Sequence, residues 1–211
     1  MIKEFEKRFL SSIVLIPISI FFIIKGSVFF ILFLSVLFLA TSYEWLKMNK
    51  KNDLLKLFGI IFLFLSFYTT YEMRENYNLN DFLLIIIICI FTDIGGYLFG
   101  NIFKGPKLTR ISPKKTISGV FGGFLLSLIA GLIFTNYFLI DQKIFNEDLF
   151  LLLVILFISM ISQIGDLIIS YFKRKAKLKD SGKIIPGHGG LLDRIDGMIF
   201  VFPICYLISV L

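Results

Sequence analysis

The stretch D-F-L-L-I-I-I-I-C-I-F-T-D-I-G-G-Y-L-F-G, residues 81–100, decides the class of fold. Its only charged side chains are those of Asp81 and Asp93, and the residues between them are uncharged and mostly apolar. A helix of about 20 such residues is long enough to cross the hydrocarbon core of a bilayer. This stretch therefore predicts a membrane-spanning helix.

Further apolar runs lie on both sides of this stretch. Together they predict an all-α integral membrane protein, a polytopic bundle of about seven transmembrane helices. Lys25-Gly26 separates the first two runs by a short turn, so we expect those two helices to form a hairpin. The runs are Phe9–Ile24, Ser27–Leu46, Leu54–Thr70, Asp81–Gly100, Ser118–Ile140, Leu149–Phe172 and Ile195–Leu211.

The composition of the whole chain agrees with this class. The 211 residues are 57% hydrophobic and 18% charged, whereas soluble domains are about half apolar and a quarter charged. This excess of apolar side chains disfavours a soluble globule and a disordered tail. The two cysteines, Cys89 and Cys205, both lie inside apolar runs, so a disulfide scaffold is also disfavoured.

Orientation is predicted from the lysines and arginines, which are enriched on the cytoplasmic side of membrane proteins. If each run crosses once and the N-terminus is cytoplasmic, 19 of the 22 basic residues fall on the inside. Only Lys25, Arg74 and Lys143 then fall outside. No small-x-small cleavage site follows the first run, which is therefore interpreted as a retained anchor.

Ionisable side chains at membrane depth are costly and often mark functional sites. Three stand out in the apolar runs: Glu44, Asp93 and Asp166. Glu44 lies one turn from Lys47, so a surface ion pair and a functional role are both open. The G-G pair after Asp93 permits either the close approach of a ligand or the packing of two helices.

Two basic loops lie on the predicted inner face. The first is K-G-P-K-L-T-R-I-S-P-K-K-T-I-S-G, residues 104–119. The second is K-R-K-A-K-L-K-D-S-G-K-I-I-P-G-H-G-G-L-L-D-R-I-D-G, residues 173–197. Polybasic loops commonly contact only anionic lipid headgroups, which is one interpretation. The second loop also has a glycine-rich turn whose N–H groups can bind an anion, and two aspartates at helical spacing.

Cations, a glycine loop and carboxylates at one membrane face suggest a site for phosphate groups and Mg²⁺. The carboxylates are those of Asp166, Asp193 and Asp196. His188 is the only histidine, and both cysteines lie in apolar runs, so a zinc site is not expected. A serine hydrolase is compatible with the composition, but the sequence contains no G-x-S-x-G motif.

The second loop also carries a resemblance to a known family. The run S-Y-F-K-R-K-A-K-L-K-D-S-G-K-I-I-P-G-H-G-G-L-L-D-R-I-D, Ser170–Asp196, is similar throughout to the signature of phosphatidate cytidylyltransferases. This run is termed the signature segment below. Q-I-G-D-L-I-I-S, D-I-G-G-Y-L-F-G and R-I-S-P-K-K-T-I-S-G resemble other blocks of the family, and K-R-F-L-S-S-I-V-L-I-P and Y-E-W-L resemble its opening. The chain departs from the family pattern at Asn101 and at Ile117-Ser118.

The resemblance implies conversion of CTP and phosphatidate to CDP-diacylglycerol and pyrophosphate. We expect one polytopic domain over 1–211, with N-terminal helices over 1–80 and a catalytic part over 81–211. The expected location is the inner (plasma) membrane, with the active site facing the cytoplasm. The expected cofactor is Mg²⁺, and a monovalent cation is left open. Membrane lipids are expected partners and nucleic acid is not, and the resemblance suggests a homodimer.

Individual roles are assigned on physical grounds within that site. The expected metal ligands are Asp166, Asp193 and Asp196, with Asp93 as a further candidate. Phosphate charge is expected to be neutralised by Lys173, Arg174, Lys179, Arg194, Lys114 and Lys115. Asp180 is expected to act in catalysis or to pair with a neighbouring lysine. The expected substrate contacts are Gly187, His188, Gly189 and Gly190 around the nucleotide phosphates, together with Ser112, Thr116 and Ser170.

Three other functions remain open at this point. An enzyme of the same chemistry, or a CTP-dependent kinase, could act on an isoprenoid lipid. A transporter could use the membrane carboxylates as ion sites, although no inverted repeat is evident in the sequence. A polybasic scaffold for anionic lipid would not explain the carboxylates beside the glycine loop.

Overall fold

The structure is a computed structural model that describes residues 2–109, 111–112, 115–138, 148–187 and 189–210. The apolar runs of the sequence form long helices, joined by loops in which glycine, proline and charged residues concentrate. The helices in the described residues are α1 (Ile2–Lys25), α2 (Ser27–Met48), α3 (Asp53–Glu75), α4 (Leu79–Phe103), α5 (Ile117–Phe138), α6 (Asp148–Lys175), α7 (Leu192–Ile195) and α8 (Met198–Val210).

Five of the described helices, α2 to α6, are long and apolar enough to cross a membrane. The segments Ser11–Lys25 in α1 and Met198–Val210 in α8 are apolar but shorter. The chain is thus an all-α, multi-pass membrane protein, as predicted; seven crossings and a cytoplasmic N-terminus stay predictions. The predicted run from Ile195 is not one helix, because α7 ends at that residue and α8 begins only at Met198.

The hairpin of α1 and α2 forms as predicted and is held by the end of α3. Gly26, between the two helices, has φ +64°, a left-handed conformation that glycine adopts easily. Arg74 donates from Nε to the carbonyl oxygen of Ile23 at 2.6 Å, at the end of α1. Glu75 accepts the N–H of Ser27 at 2.7 Å, at the start of α2. Each charge therefore faces the helix end whose dipole it complements.

A proline in α8 creates a polar contact inside the apolar bundle. Pro203 has no N–H to donate to the carbonyl oxygen of Ile199, four residues earlier in the helix. The hydroxyl of Ser66 on α3 donates to that oxygen at 2.7 Å. Because a buried carbonyl without a donor is costly, this hydrogen bond fixes α8 against α3.

Helices α4 and α5 pack backbone to backbone through glycines. A side chain at Gly95 would come within 2.8 Å of the carbonyl carbon of Gly122. A side chain at Gly119 would come within 2.7 Å of the carbonyl oxygen of Gly96. Of the two interpretations of the G-G pair, helix packing is therefore the one that these contacts support.

The two glycines of this pair give a matched test of the packing. We expect Gly95→Ala to lower the stability of the protein by about 1–3 kcal/mol, because its methyl group overlaps the backbone of α5. In Gly96→Ala the methyl group meets only the Gly119 carbonyl oxygen, at 3.7 Å. That variant should be as stable as the parent or up to about 1 kcal/mol more stable, because alanine favours the helix. Thermal unfolding in detergent micelles compares the two, and equal stabilities would contradict the packing.

Candidate active site

The two basic loops meet at one end of the bundle. Arg174, in the last turn of α6, donates from Nε to the carbonyl oxygen of Ile111 in the α4–α5 loop at 3.3 Å. It also donates from Nη1 to the carbonyl oxygen of Leu178 at 2.9 Å. Arg174 thus joins the two loops, a structural task beside its predicted contact with phosphate.

Asp166 on α6 forms an ion pair with Lys115 of the first basic loop. Its Oδ2 lies 2.6 Å from Nζ of Lys115, which lies in the first basic loop, two residues before α5. Ser170, one helical turn after Asp166, donates its hydroxyl to Oδ1 at 3.1 Å. The Lys115 and Asp166 side chains are 25% and 24% exposed, so the pair is accessible to a ligand from outside the protein.

Two further carboxyl groups lie beside Asp166. Asp196 follows α7, is 7% exposed, and has its carboxyl group within hydrogen-bonding distance of that of Asp166. Burial raises the pKa of Asp196 well above its usual value, and the Asp166 carboxylate raises it further. Asp93 on α4 is exposed and interacts electrostatically with Asp166, Lys115 and Arg194. Carboxyl groups from three separate elements are thus near enough to one another to interact electrostatically.

Asp193 does not join this group of carboxylates. Its Oδ1 accepts a hydrogen bond from Lys173 at 2.8 Å, in an ion pair whose side chains are 10% exposed or less. Its Oδ2 accepts the backbone N–H groups of Ser181 at 2.8 Å and Gly190 at 3.2 Å. Asp193 and Asp196 therefore face different partners, although the sequence predicted one shared helix face.

The metal ligands predicted from the sequence are only partly brought together. In the part of the chain that the structure describes, no three acidic, cysteine or histidine side chains cluster tightly enough to hold one ion. Among the predicted ligands, Asp166 and Asp196 have carboxyl groups within hydrogen-bonding distance of each other. A divalent cation bound there would need oxygen ligands from outside the protein as well.

The glycine loop is a tight, closed turn. Gly187 and Gly189 have φ angles of +77° and +91°, which require glycine or cost strain. Ile185 and Gly189 exchange two backbone hydrogen bonds, of 3.0 and 3.2 Å. The N–H groups of Gly189 and Gly190 are thus already donated to protein oxygens, so an incoming phosphate would have to compete for them.

Glu44 is a buried anchor of the signature segment. Its carboxylate, on a residue 1% exposed, accepts the hydroxyl of Ser181 at 2.9 Å. It also accepts the backbone N–H groups of Leu191 at 3.0 Å and Leu192 at 2.9 Å. The surface pair with Lys47 is therefore the wrong alternative, since the Lys47 ammonium instead lies over the ring of Tyr43.

Two glycines of the signature segment make room for the Glu44 carboxylate. A side chain at Gly182 would overlap that carboxylate directly. A side chain at Gly190 would come within 2.7 Å of Oε2 and would overlap the Ser181 hydroxyl. The sequence signal for this anchor was a charged residue inside an apolar run together with glycines in a distant loop, but pairing the two required the structure.

Two of the predicted substrate contacts have local structural partners. Thr116 accepts the N–H of Gly119 on its Oγ1 at 3.1 Å, and so caps the start of α5. The carbonyl oxygen of Ser112 accepts the N–H of Lys115 at 3.0 Å, in the turn that presents Lys115 to Asp166. These residues shape the loop that faces α6.

The remaining predicted residues lie at the rim or outside the described residues. Lys179, Asp180 and Arg194 have exposed side chains. Lys114 and His188 lie outside the residues that the structure describes, so their predicted contacts with phosphate stay predictions.

Comparisons with known proteins cover almost the whole chain. The cytidylyltransferase family model matches residues 54–211. A phosphatidate cytidylyltransferase of Rickettsia felis is 35% identical over 211 residues, which is 97% of this chain and 92% of that protein. A protein of the same name in Rickettsia bellii is 36% identical, covering 96% and 89%. One in Staphylococcus epidermidis is 37% identical, covering 82% of this chain and 66% of that protein.

The role of Glu44 can be tested by an isosteric change. In Glu44→Gln, the amide nitrogen replaces one carboxylate oxygen and faces hydrogen-bond donors, so at least one buried donor loses its acceptor. We therefore expect the variant to be less stable by about 1–3 kcal/mol. Glu72→Gln is the matched control, because Glu72 accepts a hydrogen bond from Asn76 at an exposed position. Melting temperatures in detergent micelles measure the difference. If both variants have the same melting temperature as the parent, the anchoring role of Glu44 is wrong.

Proposed function

The chain belongs to the cytidylyltransferase family, and we propose that it transfers the cytidylyl group of CTP to phosphatidate. The products are CDP-diacylglycerol and pyrophosphate. Relatives named phosphatidate cytidylyltransferase favour this substrate over an isoprenoid lipid, and favour an enzyme over a transporter. The observation that carries the proposal is the ion pair of Lys115 with Asp166, beside Asp196, where the two basic loops meet.

The reaction exchanges one phosphoanhydride bond for another. An oxygen of the lipid phosphate forms a bond to the α-phosphorus of CTP, the bond from that phosphorus to the bridging oxygen breaks, and pyrophosphate leaves with the electron pair. A phosphomonoester has its second pKa near 6, so the attacking oxygen is already anionic at neutral pH. The residues therefore need to position and neutralise phosphates, and no strong general base is required.

The carboxyl pair suits a magnesium ion shared with substrate. Mg²⁺ is commonly held by one or two carboxylates while phosphate oxygens and water complete its shell. Asp166 and Asp196 would supply that protein share, and their mutual repulsion would be relieved by a cation. The ion would neutralise charge on the reacting phosphates. A monovalent cation beside it stays a prediction.

Three basic residues around the pair would act on the substrates. Lys115 lies 2.6 Å from Asp166 and is partly exposed, so a phosphate could share its ammonium group. Arg194 is exposed and interacts with Asp93. Lys173 is 8% exposed and is paired with Asp193, so it contributes positive potential from a buried position in the signature segment.

We further propose that this site faces the cytoplasm from the bacterial inner membrane. The support is the distribution of charge, with 19 of the 22 basic residues on one predicted side. A cysteine at Lys104 should resist a membrane-impermeant thiol reagent in intact cells and react after permeabilisation. Labelling in intact cells would contradict this orientation.

The homodimer suggested by the resemblance stays a prediction, which light scattering on the detergent-solubilised protein can test.

Transfer of label from CTP tests the activity itself. The purified protein in detergent micelles should convert labelled CTP to a labelled lipid when phosphatidate and Mg²⁺ are present. An isoprenoid lipid phosphate, offered in place of phosphatidate, should give much less product. Folded protein that forms no labelled lipid from phosphatidate would overturn the proposal.

Two aspartates that lie three residues apart in the sequence should respond differently to substitution. Asp196→Asn should lower turnover by about 100-fold or more. Its melting temperature should hold or rise, because asparagine removes the cost of ionising a buried carboxyl group beside Asp166. Asp193→Asn should instead lower stability by about 3–5 kcal/mol, because it breaks the buried pair with Lys173. If Asp196→Asn retains near-normal turnover, the metal assignment is wrong.

A further inference from the structure

A second polar region lies at the same end of the bundle, on the other side of the signature segment. It is a cavity of about 900 Å³ between the α2–α3 turn and residues 175–183. Its walls include Lys50 and Lys51 on one side and Lys177, Lys179 and Lys183 on the other. This cavity is termed the lysine basin. Lys179, Asp180 and Gly189 of the expected site residues also lie in its wall, whereas the carboxyl groups of Asp93, Asp166, Asp193 and Asp196 and the cations of Lys115 and Arg194 do not line it.

The charges of the basin are unbalanced. Asp180 is the only acidic residue in its walls, against seven lysines. The ion pairs formed among the described residues use Lys56, Lys115 and Lys173, and none of them involves a lysine of the basin. Like charges gathered in a concave surface focus a positive potential. An anion with several negative oxygens would relieve that repulsion.

The ends of nearby helices explain only part of this charge. Lys47 lies in the last turn of α2 and Lys175 in the last turn of α6, where cations stabilise the negative end of a helix dipole. Lys50 and Lys51 follow α2, and Lys177 follows α6, so they lie outside those final turns. The helix dipole effect fades within one turn. The helix dipole therefore does not account for these additional lysines.

An apolar cleft adjoins the basin. It has a volume of about 180 Å³ and shares Leu55 with the basin wall. Trp45, Phe172 and Ile168 also line it, and Phe58 at its edge is 61% exposed on the membrane side of α3. A strongly cationic pocket beside an apolar cleft matches the two chemical parts of one molecule, a phosphate headgroup and an acyl chain.

We propose that the lysine basin and this cleft bind an anionic phospholipid, at a place separate from the reacting carboxyl groups. The phosphate headgroup lies among the lysines, and one acyl chain enters the cleft between α3 and α6. A free polyphosphate would satisfy the lysines but leave the apolar cleft unused, so the combination favours a lipid. Juxtamembrane lysines attract anionic headgroups in this way, each contributing to the affinity.

The protein contains its own reporter for this site. Trp45 is the sole tryptophan of the chain and lies in the wall of the cleft. Bromine atoms on an acyl chain quench tryptophan fluorescence at short range. Phosphatidylglycerol with brominated chains, titrated into protein held in phosphatidylcholine micelles, should quench Trp45 in a saturable way. Brominated phosphatidylcholine should quench it much less.

Matched double variants identify the headgroup contacts. Lys50→Gln with Lys177→Gln removes two basin charges and should raise the half-quenching concentration of phosphatidylglycerol by about tenfold or more. Lys104→Gln with Lys107→Gln removes two exposed charges outside the basin and should leave it unchanged. All four lysines are exposed, and Lys104 and Lys177 share a positive φ, so the variants are matched in backbone conformation.

Three outcomes would overturn the proposal. If both double variants weaken quenching equally, the effect is that of general surface charge. If brominated phosphatidylcholine quenches Trp45 as strongly as phosphatidylglycerol, the cleft does not select an anionic lipid. Inorganic tripolyphosphate provides a further arm. Loss of tripolyphosphate binding in the basin variant, with unchanged quenching by phosphatidylglycerol, would assign the lysines to a soluble phosphate instead. The titrations contain neither CTP nor Mg²⁺, so their result is independent of transfer activity.

Discussion

The buried carboxylate of Glu44 is the interaction on which the polar end of the molecule depends. A buried charge is costly unless hydrogen bonds replace its lost water, and Glu44 receives three of them from the signature segment. Two of the donors, the N–H groups of Leu191 and Leu192, lie at the start of α7, where backbone donors have no helical partner. The same contact therefore satisfies the charge and the helix end. It ties the signature segment to α2 before any ligand binds.

This tie fixes the signature segment, which contributes residues to two polar regions. On one side Asp166 and Asp196 present carboxyl groups that suit a cation. On the other side the lysine basin presents cations that suit phosphate. Asp166 already pairs with Lys115, whereas the ion pairs among the described residues involve no lysine of the basin.

The sequence predicted the membrane class and most of the helices, because these depend on long apolar runs. It also predicted that the two basic loops lie at one membrane face, because lysines and arginines are enriched on the cytoplasmic side. It could not divide the aspartates by role. Asp193 and Asp196 have helical spacing, but α7 is only four residues long, so the two side chains turn to different neighbours. The anchor at Glu44 was also beyond prediction, since its partners lie more than 130 residues away and are mainly backbone groups.

The glycine contacts of α4 and α5 reach the site as well as the bundle. Because the two helices touch through their backbones near Gly95 and Gly122, the loop that joins them starts and ends close together. Gly100 continues this contact to Thr116, whose hydroxyl lies 3.1 Å from where a side chain at Gly100 would begin and caps α5. The residue before that cap is Lys115, which reaches Asp166. The position of the Lys115 ammonium group thus depends on how closely α4 and α5 approach each other. A bulkier residue in place of one of the contacting glycines would move that group.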